Sequence, residues 1–128
     1  MKVKEGLKYS KDHEWANIEG NIVTEGITDY AQQELSDIVY VELPKVGNEV
    51  RKGSAIATIE AVKTVADLIS MASGKIVAVN EELQIHPELV NQDPYGKGWM
   101  VKIEAKDPNE VNDFMDSTAY ENFIKEEG

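Results

Sequence analysis

The sequence predicts a mainly β protein: a small β-sandwich or barrel-sandwich hybrid with a lysine-bearing hairpin and peripheral helices, one of them C-terminal. Three observations carry this. The apolar-rich segments are short. Gly, Pro, Asn and Asp turn signals separate them about every ten residues. Helical periodicity is confined to short runs away from the centre of the chain, and the last run closes it.

The elements follow in order. Leu7 to Tyr9 is a short strand. Glu14 to Glu19 and Asn21 to Glu25 flank Gly20-Asn21, a tight-turn dipeptide. Gly26-Ile27-Thr28-Asp29 starts a short helix, with Thr28 as its cap and Asp29 placing negative charge in the first turn. Ser36-Asp37 ends it. Ile38 to Leu43 is a strand, with Val39, Val41 and Leu43 expected on one face. Glu49-Val50 is extended between the turns Pro44 to Asn48 and Arg51-Lys52-Gly53. A central hairpin spans about 54–73, and Lys75 to Val79 is a further strand. Asn80 to Asn91 reads as loop with one helical turn after Pro87. Trp99 to Glu104 alternates, with Trp99, Val101 and Ile103 expected inward. The segment 107–125 is expected to be helical. Asp107-Pro108-Asn109-Glu110 is its start signal, Val111, Phe114 and Met115 its apolar stripe, and Thr118 the cap of a second short helix with Phe123 facing inward. No internal boundary interrupts residues 1–128, which are expected to form one domain.

Composition narrows the function. A net charge of −11 disfavours nucleic acid and anionic membrane surfaces, and suits basic patches on partner proteins. There are no cysteines, so thiol catalysis, disulfides and thiolate metal sites are excluded. The two histidines, His13 and His86, do not fall at metal-ligand spacing. No run is long and apolar enough to span a bilayer. Met1 to Gly6 lacks the marks of a targeting segment, so a bacterial-type cytoplasm is the expected location.

Lys63 is the most informative residue. It lies ten residues after Gly53 and eleven before Gly74, between the apolar-rich segments Ser54 to Ile59 and Val65 to Ser70. A lysine midway between two such strands is presented at a hairpin tip. There its flexible stem and amine suit acylation. Val62 and Thr64 beside it carry no large side chain.

Glu60-Ala61-Val62-Lys63, between Gly53 and Ser73-Gly74, resembles the lipoyl and biotinyl carrier domains, in which a hairpin lysine carries a cofactor through an amide. Neither neighbour of Lys63 is the methionine usual beside a biotinyl lysine, which favours lipoate. Tyr9-Ser10-Lys11-Asp12-His13-Glu14-Trp15, Gly26 to Gln32, Asp37 to Pro44, Asp93-Pro94-Tyr95-Gly96 and Gly98-Trp99-Met100 resemble the H proteins of the glycine cleavage system, in order from about Leu7 to Phe123. The resemblance implies a non-catalytic lipoamide shuttle. It carries the aminomethyl group of glycine from a glycine decarboxylase to an aminomethyltransferase, and a dihydrolipoamide dehydrogenase reoxidises it. A lipoyl-attaching enzyme would load Lys63. Two positions depart from the common pattern: Ala61 where serine is frequent, and Met71 where proline is common after the hairpin.

The resemblance gives three further residues candidate roles. Glu60 and Asp67, three before and four after Lys63, are candidate marks for the attaching enzyme, and Asp67 is also a candidate lining for an arm cavity. Otherwise both are solvated strand carboxylates. Glu14 is a candidate partner for the ammonium of a loaded arm, by charge pairing in a shielded site. Trp15 and His13 read as a core aromatic and a satisfied turn histidine, and His86 as exposed. Rival readings are an H-like lipoyl donor in lipoate assembly or another lipoate-dependent pathway, a small enzyme using Glu14, Asp67 and Lys63 as acid–base groups, and a binding module with an unmodified hairpin. No nucleophile–base pair or phosphate loop supports the enzyme.

Overall fold

The computed structural model describes residues 1–127. Nine strands form two antiparallel sheets. The strands are β1 (Lys8–Tyr9), β2 (Glu14–Glu19), β3 (Ile22–Ile27), β4 (Ile38–Glu42), β5 (Glu49–Val50), β6 (Ala55–Ala61), β7 (Val65–Ile69), β8 (Gly74–Val79) and β9 (Val101–Ala105). The larger sheet has the order β1-β2-β3-β9-β8-β5, and the smaller β4-β6-β7. Their facing sides make the main core, where Val23, Val41, Ile59, Leu68, Ile76, Met100 and Ile103 are fully buried. The mainly β expectation holds.

Local chemistry explains the joints. β2 and β3 close in the register Glu19↔Ile22, leaving Gly20-Asn21 as a two-residue loop, and Gly20 takes the positive φ of 64° that such a loop demands. Helix α1 (Asp29–Leu35) is capped by Thr28, whose hydroxyl accepts the Ala31 N–H at 3.2 Å. Gly26 and Ile27 end β3, where the sequence had suggested the helix approach. They pair with Trp15 and Glu14.

Two side-chain orientations and one segment differ from expectation. Val39 is 54% exposed, because the β4–β6 register shifts between Ile38 and Tyr40 and the extra residue swings outward, while Val41 stays buried. Met100, not Trp99, enters the main core, since β9 begins only at Val101. Trp99 is half-buried, with the Lys102 ammonium 5.3 Å from its ring centre. Two short helices, α2 (Glu82–Ile85) and α3 (Leu89–Gln92), occupy the segment read as loop, each burying one apolar residue, Leu83 or Val90.

The C-terminal segment is helical in two pieces. Asp107 caps a 3₁₀ turn over Pro108–Val111, its carboxylate accepting the Asn109 N–H at 3.1 Å. Met115 is not helical: it forms a β-bridge with Tyr9. Helix α4 (Ser117–Glu127) then starts, and Asp116 rather than Thr118 caps it, accepting from Ala119 at 2.9 Å.

A second cluster seats α4 against the large sheet, with Leu7, Tyr9, Trp15 and Tyr120 buried. The Tyr9 and Tyr120 rings stack with centres 4.5 Å apart. The Tyr120 hydroxyl lies 2.7 Å from Thr28 Oγ1 and 2.9 Å from His13 Nδ1. Tyr120→Phe keeps the stacking but removes both hydrogen bonds from a buried site. It should cost about 1–3 kcal/mol, read as a drop of several degrees in melting temperature. An unchanged melting temperature would show that the network holds nothing together.

Candidate carrier site

β6 and β7 pair through Glu60↔Val65, so Ala61 and Thr64 face each other and Val62-Lys63 is the loop. The Ala61 N–H donates to the Thr64 carbonyl at 2.8 Å. Neither loop residue has positive φ, so ordinary L-residues fit the turn without strain. The tip is also braced from the side: the Val62 N–H donates to the Asp37 carbonyl, just before β4, at 3.0 Å. Val62 is 70% exposed, and Lys63 and Thr64 are exposed with it. The three ion pairs among the described residues, His13–Glu127, His86–Glu88 and Lys106–Glu49, do not involve Lys63. An exposed, unconstrained amine on a braced two-residue loop fits amide attachment of an acyl cofactor.

Alternation fixes what surrounds it. Ala57, Ile59 and Ala61 of β6 point into the core, so Thr58 and Glu60 share the outer face. Glu60 is half-buried between Tyr40 and Val65, its partners on the two flanking strands. Asp67 is exposed opposite Thr58 and joins Glu42, Arg51 and Ile56 in lining a surface cleft of about 570 Å³. Glu60 and Asp67 therefore lie on one sheet face with Lys63 at its end.

Glu14 lies elsewhere. It is 1% exposed, and its carboxylate accepts the Ser10 hydroxyl at 3.0 Å and the N–H of Ile69, the last residue of β7. Burial pushes its carboxyl up to about 8 against the stabilising pull of those hydrogen bonds. The sequence reading missed Glu25, its fully buried neighbour. Glu25 accepts the Met71 N–H at 2.9 Å through Oε1, while Oε2 has no hydrogen-bond partner among the described residues. Burial, and then the nearby Glu14 charge, raise Glu25 well above the carboxylate range. The signal was present: in Val23-Thr24-Glu25-Gly26-Ile27 an acid occupies the core-facing step of an alternating strand. His13 is held by Tyr120 and Glu127, and Trp15 is buried with its indole N–H on the Pro94 carbonyl at 2.9 Å.

Two antiparallel sheets that share a core and project a lysine on a braced hairpin define a protein of the hairpin-carrier class. The chain matches the family model described as glycine cleavage H-protein over residues 7–127. It is similar to the glycine cleavage system H protein of Symbiobacterium thermophilum, at 52% identity covering 94% of each chain. To that of Thermotoga maritima it is 51% identical, covering 99% of this chain and 100% of the relative. A solved glycine cleavage system H protein from Mycobacterium marinum superposes with a TM-score of 0.86 at 34% identity, covering 98% and 99% of the two chains. The chain belongs to the glycine cleavage H-protein family, whose members are non-catalytic lipoate carriers. Among the described residues no helix is long and apolar enough to cross a membrane.

Proposed function

We propose that this chain forms a single carrier domain that bears lipoate in amide linkage on Lys63 and shuttles the aminomethyl group of glycine. It takes that group from the glycine decarboxylase to the aminomethyltransferase, and a dihydrolipoamide dehydrogenase resets it. The carrying observation is Lys63 itself, exposed on a two-residue loop that is hydrogen-bonded on both sides. When bound, lipoate supplies the sulfur chemistry; the chain supplies a fixed attachment point and the surface that partners read. Glu60, on the outer face just behind the tip, marks the hairpin for the attaching enzyme, and Asp67 extends that marking towards the cleft. Glu14 is the partner for the ammonium of a loaded arm; its engagement with Ser10 and Ile69, and a carboxyl pushed up to about 8 by burial, mean that it must first be uncovered and give up its proton. The location is a bacterial-type cytoplasm. An H-like donor role in lipoate assembly would use the same lysine, and no feature of the site favours it.

Incubation with a lipoyl-attaching enzyme and lipoate should add one lipoyl group to the intact mass of the wild type and none to Lys63→Arg, with both proteins equally folded. Addition to the arginine variant, or none to folded wild type, would overturn the assignment.

A further inference from the structure

Two acids of the larger sheet hold the strand that leaves the lysine hairpin. Glu14 on β2 and Glu25 on β3 are diagonal neighbours on one side of the sheet, since Glu14 pairs with Ile27 and Ala16 with Glu25. Glu14 takes the Ile69 N–H and Glu25 the Met71 N–H. Ser70, between them and buried, returns its own N–H to Ser54 at 2.8 Å and its hydroxyl to the Ala72 carbonyl at 2.7 Å. The bond from the Met71 N–H to Glu25 exists because residue 71 is not proline, which has no N–H to give. The two sheets are thus tied at the hairpin's root by hydrogen bonds whose acceptors are both ionisable.

The charges that act on the pair are acidic. Asp12, in the β1–β2 turn, adds repulsion at Glu14, and each acid repels the other. Ser10 is neutral, and Ile69 to Ala72 carry no ionisable side chain. The His13 ring is committed to Tyr120 and Glu127, and the three ion pairs among the described residues leave both acids without a cation. One ionised acid strengthens its own N–H bond. Two buried charges without a counter-ion require water, and Glu25 Oε2 has no partner to replace it.

We propose that Glu14 and Glu25 form a pH-gated clamp on the exit of the Lys63 hairpin, shut while either acid keeps its proton and opened at Ile69–Ala72 when both ionise. The gate lies in the fold itself and does not depend on lipoylation of Lys63.

The test is site-resolved amide hydrogen exchange by NMR on the unmodified full chain from pH 6 to 9.5, with rates divided by the intrinsic base-catalysed rate. In the wild type, protection at Ile69 and Met71 falls at least tenfold towards the alkaline end of this range, once Glu25 as well as Glu14 has ionised, while Ile18 and Val23 in the β2–β3 pair keep theirs. Glu25→Gln retains an oxygen for the Met71 N–H but cannot ionise, so it holds both amides protected to the highest pH. Glu14→Gln does the same and serves if the first variant fails to fold. Flat wild-type protection, loss shared equally by Ile18 and Val23, or variants that open like the wild type would each overturn the clamp.

Discussion

Gly74→Ala is expected to leave little folded protein at 37 °C. Gly74 opens β8, between β9 and β5, and pairs with Ala105 on one side and Val50 on the other. A Cβ built there would sit inside the Glu104 carbonyl oxygen and 2.9 Å from its carbon. Both are backbone atoms in a pairing strand, so no side-chain rotation relieves the overlap. The sheet must give up pairing at this end of β8 and β9 or bend away, at a cost of about 3 kcal/mol or more. A urea titration followed by circular dichroism measures it. Lys75→Ala, one residue on and exposed, is the control and should barely move the midpoint. A Gly74→Ala midpoint equal to the control's would mean the strands tolerate a separation that the structure does not allow for.

Stability should fall as pH rises from about 5 to 8. Glu14 and Glu25 are held above the ordinary carboxylate value of 4.5: Glu14 to about 8 by burial, and Glu25 well above it by burial and then by its neighbour's charge. Below pH 4.5 both stay protonated in the folded and unfolded chains, and neither costs stability. Above it the unfolded chain releases protons that the folded chain retains. The native state then binds more protons, and unfolding becomes easier with each pH step, by up to ~1.4 kcal/mol per unit for each such group. The Glu14 contribution levels off above about pH 8, where the folded form ionises as well. Glu25→Gln should roughly halve this slope, so its melting temperature, measured at several pH values, crosses above that of the wild type on the alkaline side. Parallel wild-type and variant curves would mean that Glu25 already ionises freely in the fold.

Much of this architecture was legible in local patterns. Lys63 stood out because a hairpin's centre is simple arithmetic between two turns, and the pairing places the loop there. Thr28 capping and the Gly20-Asn21 turn followed from short-range chemistry that tertiary contacts did not override. The failures have physical causes. Strict alternation put Val39 inward, but a bulge beside Ile38 changes the phase of β4. Trp99 looked like the first step of β9, but that strand starts two residues later. Helical spacing at Val111, Phe114 and Met115 was real, yet the chain tightens into a 3₁₀ turn and then gives Met115 to Tyr9. Glu25 escaped because strand acids usually face water. Its alternation with Val23 pointed inward, and the pairing of β3 between β2 and β9 bears that out.

The Val62–Asp37 hydrogen bond turns the Lys63 backbone into a fulcrum. With the pedestal stationary and the cargo attached to Lys63 as proposed, its reach is the length of the side chain plus whatever is linked to it, swept over the open hemisphere beyond the tip. Every enzyme that uses the cargo must bring its catalytic cleft within that one radius. A longer, looser loop would enlarge the swept volume and dilute the cargo, roughly as the −3/2 power of tether length. Stiffness at Val62 therefore acts as a concentration device: it keeps a single tethered group dense enough to be found by successive partners of different shape.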